Sequence, residues 1–284
     1  MTDTQKPDHW SATAYAAAAN FVPLLTTKVL QYLDPQSSNQ LLDIGCGDGQ
    51  LTQTIASQIS TSGGHILGLD ASASFIETAR AQNKHPQTCA YELQDCTDLS
   101  RAPSLNGKKD SFDKIFSNAA LHWILRTPSA RTSLFKQLHG LLKQNGTLVF
   151  EMGGAGNVAE FHTAFTAALT THGNLTIAQA RAASPWFFPS DVRMKGALEE
   201  AGFEVQVCES EYRPTRLSED GGLEAWVRLM GAAFLDAITG DGADGRREKV
   251  VRAVCEWVEG AVLREEDEGR WIGYVRLRAV GKKR

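Results

Sequence analysis

Residues 40–50 read Gln-Leu-Leu-Asp-Ile-Gly-Cys-Gly-Asp-Gly-Gln, an apolar run that carries one acid and opens into glycine at every second position. Gly45, Gly47 and Gly49 have no Cβ, so a ligand can approach their backbone closely. A helix that follows such a turn presents free N–H groups and the positive end of its dipole to an anionic group. The dinucleotide pattern G-x-G-x-x-G needs glycine at position 50, where this chain has Gln50, so an NAD or FAD fingerprint fits poorly.

A second apolar run, Ile66-Leu67-Gly68-Leu69, ends in Asp70. An acid at the tip of the next strand is placed to accept hydrogen bonds from ribose hydroxyls. The two segments together describe a nucleoside ligand with an anionic end and no required diphosphate. S-adenosylmethionine has that chemistry, with a carboxylate in place of the phosphate.

Five segments, Leu41–Gln50, Gly68–Ser72, Gln94–Cys96, Phe112–Asn118 and Gly146–Phe150, resemble in order the motifs of class I S-adenosylmethionine-dependent methyltransferases. The run Ser117-Asn118-Ala119-Ala120-Leu121-His122-Trp123 resembles a narrower branch, the trans-aconitate methyltransferase-like small-molecule enzymes. The resemblance implies an α/β fold: a Rossmann-like, doubly wound, seven-stranded sheet whose last strand is antiparallel, with helical cap insertions. It implies S-adenosyl-L-methionine as cofactor and a small-molecule methyl acceptor, with a carboxylic acid as one candidate. Asp95 and Cys96 match the family position at the adenine, and Asn118 and Ala119 the position near the methionine and sulfonium. The chain lacks the N-P-P-[YF] or D-P-P-[YF] motif of amide- and base-nitrogen methyltransferases.

With 284 residues the chain can bury a sizeable core. A net charge of −4 gives no electrostatic footprint for nucleic acid. The five cysteines form no C-x-x-C pair, so no zinc or redox site is signalled and no metal is expected. Scattered thiols suit a reducing compartment, and residues 1–9 lack a secretory apolar core, so the expected location is cytoplasmic. No apolar run reaches the length of a membrane span, and a monomer or homodimer is expected.

Strand and helix patterns alternate from residue 40, which implies a parallel sheet with helices on both faces. Strands are expected at 40–44, 65–69, 88–93, 112–117, 147–151, 203–209 and 271–279. Helices are expected at 48–60, 72–83, 129–144, 157–182 and 190–201. Ser74-x-x-Glu77 is a candidate capping box, and Asn145-Gly146 a helix C-cap. Residues 1–37 are expected to form an N-terminal helical cap segment and 38–284 the methyltransferase domain implied by the resemblance, with cap insertions at about 155–190 and 220–264.

The cofactor set expected from these readings is Asp43, Gly45, Cys46, Gly47, Gly49, Asp70, Ala71, Asp95, Cys96, Asn118 and Ala119. Asp43 either orients the loop or meets the ligand's ammonium group. Trp10, Trp123, Trp186 and Phe187 are either packed cap residues or walls of the acceptor pocket. Arg126, Arg131, Arg181, Arg193, Arg213 and Arg216 are candidates for holding a carboxylate. Methyl transfer from a sulfonium needs alignment and exclusion of water. A carboxylate acceptor needs no base, whereas a phenol, amine or carbon acid would use His122 or Tyr15 as the catalytic group. Rival readings are a methyltransferase acting on oxygen, nitrogen or carbon of a specialised metabolite, and a non-catalytic module of this fold working through a protein partner.

Overall fold

Strand β1 (Gln40–Ile44) is buried along its last four residues, as a strand between two parallel neighbours must be. In the computed structural model, which describes residues 26–59, 62–217 and 222–284, it lies between β2 (His65–Asp70) and β4 (Phe112–Asn118). Beyond them lie β3 (Cys89–Leu93) and β5 (Leu142–Gly153). The seven-stranded order is β3-β2-β1-β4-β5-β7-β6, where β6 is Phe203–Arg216 and β7 is Trp271–Lys283. The first five strands are parallel, and β7 runs antiparallel to both β5 and β6. Strand order reverses between β1 and β4, and ligands bind in the crevice that such a reversal opens.

Helices cover both faces. Val29 and Leu33 of α1 (Thr27–Leu33), Ile55 and Ile59 of α2 (Gln50–Ile59) and Ile76 of α3 (Ala73–Ala81) pack with Leu41, Phe116 and Val149. The short α4 (Leu121–Ile124) precedes α5 (Pro128–Leu141). On the opposite face, Leu134, Phe135 and Leu138 of α5 share a core with sheet residues Leu148, Phe150 and Leu277.

A third core belongs to the cap. It joins α6 (Ala159–Thr171), α7 (Ile177–Ala182), α9 (Gly222–Met230), α10 (Ala232–Asp236) and α11 (Ala243–Val262); α8 (Asp191–Glu200) instead places Met194 and Leu198 in the sheet core. Phe161 meets Trp226 at 4.2 Å between ring centres, and Phe165 stacks on Phe234 at 4.6 Å. Ile272 and Tyr274 join this core, and the Trp226 indole N–H donates to the Tyr274 hydroxyl at 2.8 Å. Because Arg276 pairs with Gly153 at the end of β5, residues 271–275 reach past the carboxyl ends of the parallel strands. The cap therefore stands over those ends.

Several local expectations are corrected. The helix expected over 129–144 stops at Leu141, because Leu142 already pairs with Phe112. Asn145, at φ +65°, lies in the irregular stretch before Thr147 pairs with Lys114 and does not cap the helix. The segment 157–182 is two helices, parted at Gly173 and Asn174, the latter at φ +60°. Helix α3 is capped by Ser72, whose hydroxyl accepts from the Phe75 N–H, and not by Ser74. Both final strands run longer than their apolar cores suggested.

Candidate active site

The glycine loop is held by the strand beside it. Gly45 and Cys46 both donate their N–H groups to the Leu69 carbonyl, at 2.8 and 3.0 Å. Asp70, at the tip of β2, accepts from Gly47 N–H and Ser72 N–H, each at 2.9 Å. One carboxylate thus ties the loop after β1 to the turn after β2. Gly45, Gly47 and Gly49 all take positive φ, of +72°, +57° and +81°. A Cβ on Gly45 would meet the Ala120 Cβ at 2.1 Å, and one on Gly49 the Tyr91 hydroxyl at 2.6 Å. A Cβ on Gly47 would meet nothing within 4 Å. The outer two glycines serve packing, while the middle one faces open space.

Asp43 is buried in β1 and accepts from the Thr52 hydroxyl at 2.7 Å. Burial is the main cause that pushes its pKa up to about 7; the Thr52 bond opposes the shift and the Asp70 charge adds to it. Asp48 holds Gln50 of the following turn through both its oxygens. Ala71 is exposed beside Asp70. Asp95 is exposed and accepts from Thr97 N–H, while Cys96 is buried and its thiol donates to the Gln94 carbonyl. Burial pushes the Cys46 and Cys96 thiols well up, so both are neutral.

The loop after β4 approaches the glycine loop from the other side. Ala119 adopts φ +55°, a conformation that costs a non-glycine residue free energy, and its N–H donates to the Glu151 carbonyl at 2.8 Å. The Asn118 side-chain Oδ1 is buried with no hydrogen-bond donor among the described residues. A buried, unsatisfied acceptor costs about 1–3 kcal/mol, which a bound donor group would recover. Open space at Gly47 and an acceptor waiting at Asn118 fit a ligand that carries an ammonium group.

His122 follows directly and is buried. Its Nδ1 accepts from Gly153 N–H at 3.3 Å, which assigns the proton to Nε2. Burial, then the nearby Arg276 charge, pushes its pKa down to about 3. At neutral pH the ring is an uncharged hydrogen-bond donor. Trp123, Phe188 and Trp186 surround it: His122 lies 5.4 Å from Trp123 and 5.6 Å from Phe188, and Trp186 stacks on Phe188 at 5.6 Å. Phe187 is not brought into this group. Its ring turns to the opposite side, beneath Arg131 at 4.1 Å. Trp10 and Tyr15 lie outside the described residues.

Arg276, which the sequence reading passed over, lies over the Tyr274 ring at 4.5 Å and is buried near His122. Glu151 and Arg278 were missed too; Arg213 and Arg278 both donate to Glu151, at 2.9 and 2.6 Å. The signal available was the alternation of Tyr274, Arg276 and Arg278 in one strand, which puts all three on one face. Arg213 is the one candidate arginine built into this network. Arg216 faces Asp267, and Arg126 reaches the Ala182 carbonyl.

A family described as "Methyltransferase domain" matches residues 42–148. An uncharacterized methyltransferase of Schizosaccharomyces pombe is 37% identical, over 97% of this chain and 98% of its own. A trans-aconitate 2-methyltransferase of Methylobacterium radiotolerans is 29% identical, over 85% of this chain and 86% of its own. Among solved structures, the YcgJ protein from Bacillus subtilis superposes with a TM-score of 0.59 at 16% identity, over 90% of this chain and 97% of that one.

Proposed function

Given that this chain belongs to the S-adenosylmethionine-dependent methyltransferases, we propose that its acceptor is a small molecule and that the atom methylated is a carboxylate oxygen. The observation that carries this reading is the state of His122. Its Nδ1 is occupied by Gly153 N–H and its Nε2 carries the proton, so the ring has no lone pair to take a proton from an acceptor. A carboxylate is already ionised at neutral pH and needs none removed. The buried Arg276 cation beside His122 favours an anionic acceptor. The trans-aconitate enzyme among the relatives is itself named for an acid.

Asp43, Gly45, Cys46, Gly47, Gly49, Asp70, Ala71, Asp95, Cys96, Asn118 and Ala119 would hold S-adenosylmethionine in this reading. When bound, that donor supplies a methyl group on a good leaving thioether. The chain's own residues do the rest. Asp70 fixes the loop that receives the nucleoside, and Asn118 Oδ1 receives an ammonium hydrogen. His122 Nε2–H donates to the acceptor and holds one oxygen in place, while Trp123 and Trp186 exclude water. Alignment of this kind is worth several kcal/mol in a displacement reaction. The aromatic group Trp123, Trp186, Phe188 and Phe234 supports a second reading, in which the acceptor is a larger apolar metabolite.

Two measurements test the proposal. Calorimetric titration with S-adenosylhomocysteine, on wild type and Asp70→Ala, checks the cofactor site; the variant should bind at least about 10-fold more weakly. A radiolabelled methyl donor with a panel of organic acids then reports the acceptor atom. A methyl ester releases labelled methanol in mild base, whereas label retained after base treatment would overturn carboxylate methylation.

A further inference from the structure

Helices α5 and α8 leave a cleft of about 410 Å³ between them, on the side of the Ser184–Ser190 loop that faces away from the cap. Its floor is apolar: Leu125, Phe135 and Met194 are buried there. Its rim is cationic, with Arg131, Lys136 and Arg193 against a single acid, Glu200. Arg131 and Arg193 converge on one ring, lying 4.1 and 5.2 Å from the centre of Phe187. None of the three cations has a carboxylate partner among the described residues. Arg131 donates from Nε to the Leu125 carbonyl and from Nη2 to the Arg126 carbonyl, so its guanidinium is fixed with Nη1 remaining. Two like charges on one ring repel, and burial and Arg193 both push the Arg131 pKa down.

We propose that this cleft binds a small organic anion with an apolar body, its oxyanion head between Arg131 and Arg193 and its body on Phe187, Phe135 and Met194. The volume is within the usual range for small-molecule sites. The fixed Arg131 guanidinium and the exposed Arg193 cation match an oxyanion head, and an aromatic floor matches an apolar body. The cleft is separate from the acceptor region but mechanically joined to it. Phe187 N–H donates to the His122 carbonyl at 2.9 Å, and its neighbours Trp186 and Phe188 pack in the cap. A ligand that presses on the Phe187 ring therefore acts on the segment that carries the acceptor-side aromatics.

The test is calorimetric titration of the full chain, saturated with S-adenosylhomocysteine, with 2-naphthalenesulfonate as probe. Wild type should bind one equivalent, more weakly at high salt. Arg193→Gln removes one exposed guanidinium and should weaken binding roughly 10-fold or more. Gly196→Leu fills the cleft without touching charge. A Cβ at Gly196 meets nothing within 4 Å, and replacing a helical glycine favours the helix, so this variant should melt no lower than wild type and bind no probe. Wild type giving no saturable heat up to millimolar probe would overturn the proposal. So would a Gly196→Leu variant that binds as tightly as wild type, since the probe would then sit elsewhere.

Discussion

Glu151 and Arg278 stand opposite each other in the β5–β7 ladder, and Arg278 Nε donates to Glu151 Oε2 at 2.6 Å with both side chains buried. Arg213 reaches the same carboxylate, while Arg278 also reaches Glu211. Removing Glu151 therefore strips two arginines of one acid, whereas removing Arg278 leaves Glu151 with Arg213. Glu151→Leu should cost about 3–5 kcal/mol, and more than Arg278→Leu. Urea unfolding of the two variants measures the order; the reverse order would show that Arg213 contributes little.

The three loop glycines should separate by cause. Gly45→Ala forces a Cβ into the Ala120 side chain at φ +72° and should lower stability by more than about 2 kcal/mol, with cofactor binding lost. Gly47→Ala adds a Cβ in open space at φ +57°, at a cost of about 1 kcal/mol. It should fold, melt a few degrees lower and still bind S-adenosylhomocysteine poorly, because the proposed cofactor site uses that open space. Unimpaired binding by Gly47→Ala would move the ligand off the loop.

Asp43 should make stability fall as pH rises. Its folded pKa of about 7 exceeds the ordinary 3.8, so the folded state holds a proton that the unfolded state has lost. The contribution is fully present below pH 3.8 and is lost as pH rises through 7, amounting to about 4 kcal/mol at most. Asp43→Asn keeps an acceptor for the Thr52 hydroxyl and removes the titration. Melting curves from pH 4 to 8 should show wild type losing stability relative to the variant; parallel curves would mean that Asp43 ionises normally.

His122 should leave no mark on the pH–rate profile near 6.5. Its folded pKa of about 3 lies below the unfolded 6.5, so its contribution to stability is present above 6.5 and lost as pH falls toward 3. His122→Gln keeps an N–H donor and should reduce kcat by less than about 100-fold. A loss beyond that, together with a wild-type limb at pH 6.5 that disappears in the variant, would restore His122 as a base.

Local pattern and long-range packing differed in how far they could be read. The loop from Asp43 to Gly49 and the acid Asp70 were legible because glycine spacing and strand ends are local properties. Phe187 was not. In Trp186-Phe187-Phe188 all three residues are apolar, and only the packing of two different cores shows that the middle ring turns away. The end of α5 was misread because Leu142 suits helix or strand alike, and pairing with Phe112 decided between them. Arg276 and Arg278 were passed over, since nothing nearby in sequence announces Glu151 as the partner of Arg278, 127 residues away.

The position of β7 sets an order of events that the chain's linear order opposes. β6 makes no strand pairing within the sheet except through β7, and β5 has one edge open until β7 fills it. During synthesis the half that carries the glycine loop can pair its five parallel strands while β5 still presents bare backbone groups. β6 emerges next with nothing to join. Newly made chains therefore pass through a stage in which two edges wait for one strand, and such edges recruit other chains. The same strand that seats the cap over the carboxyl ends of the sheet also closes the open edge of β5 and one edge of β6.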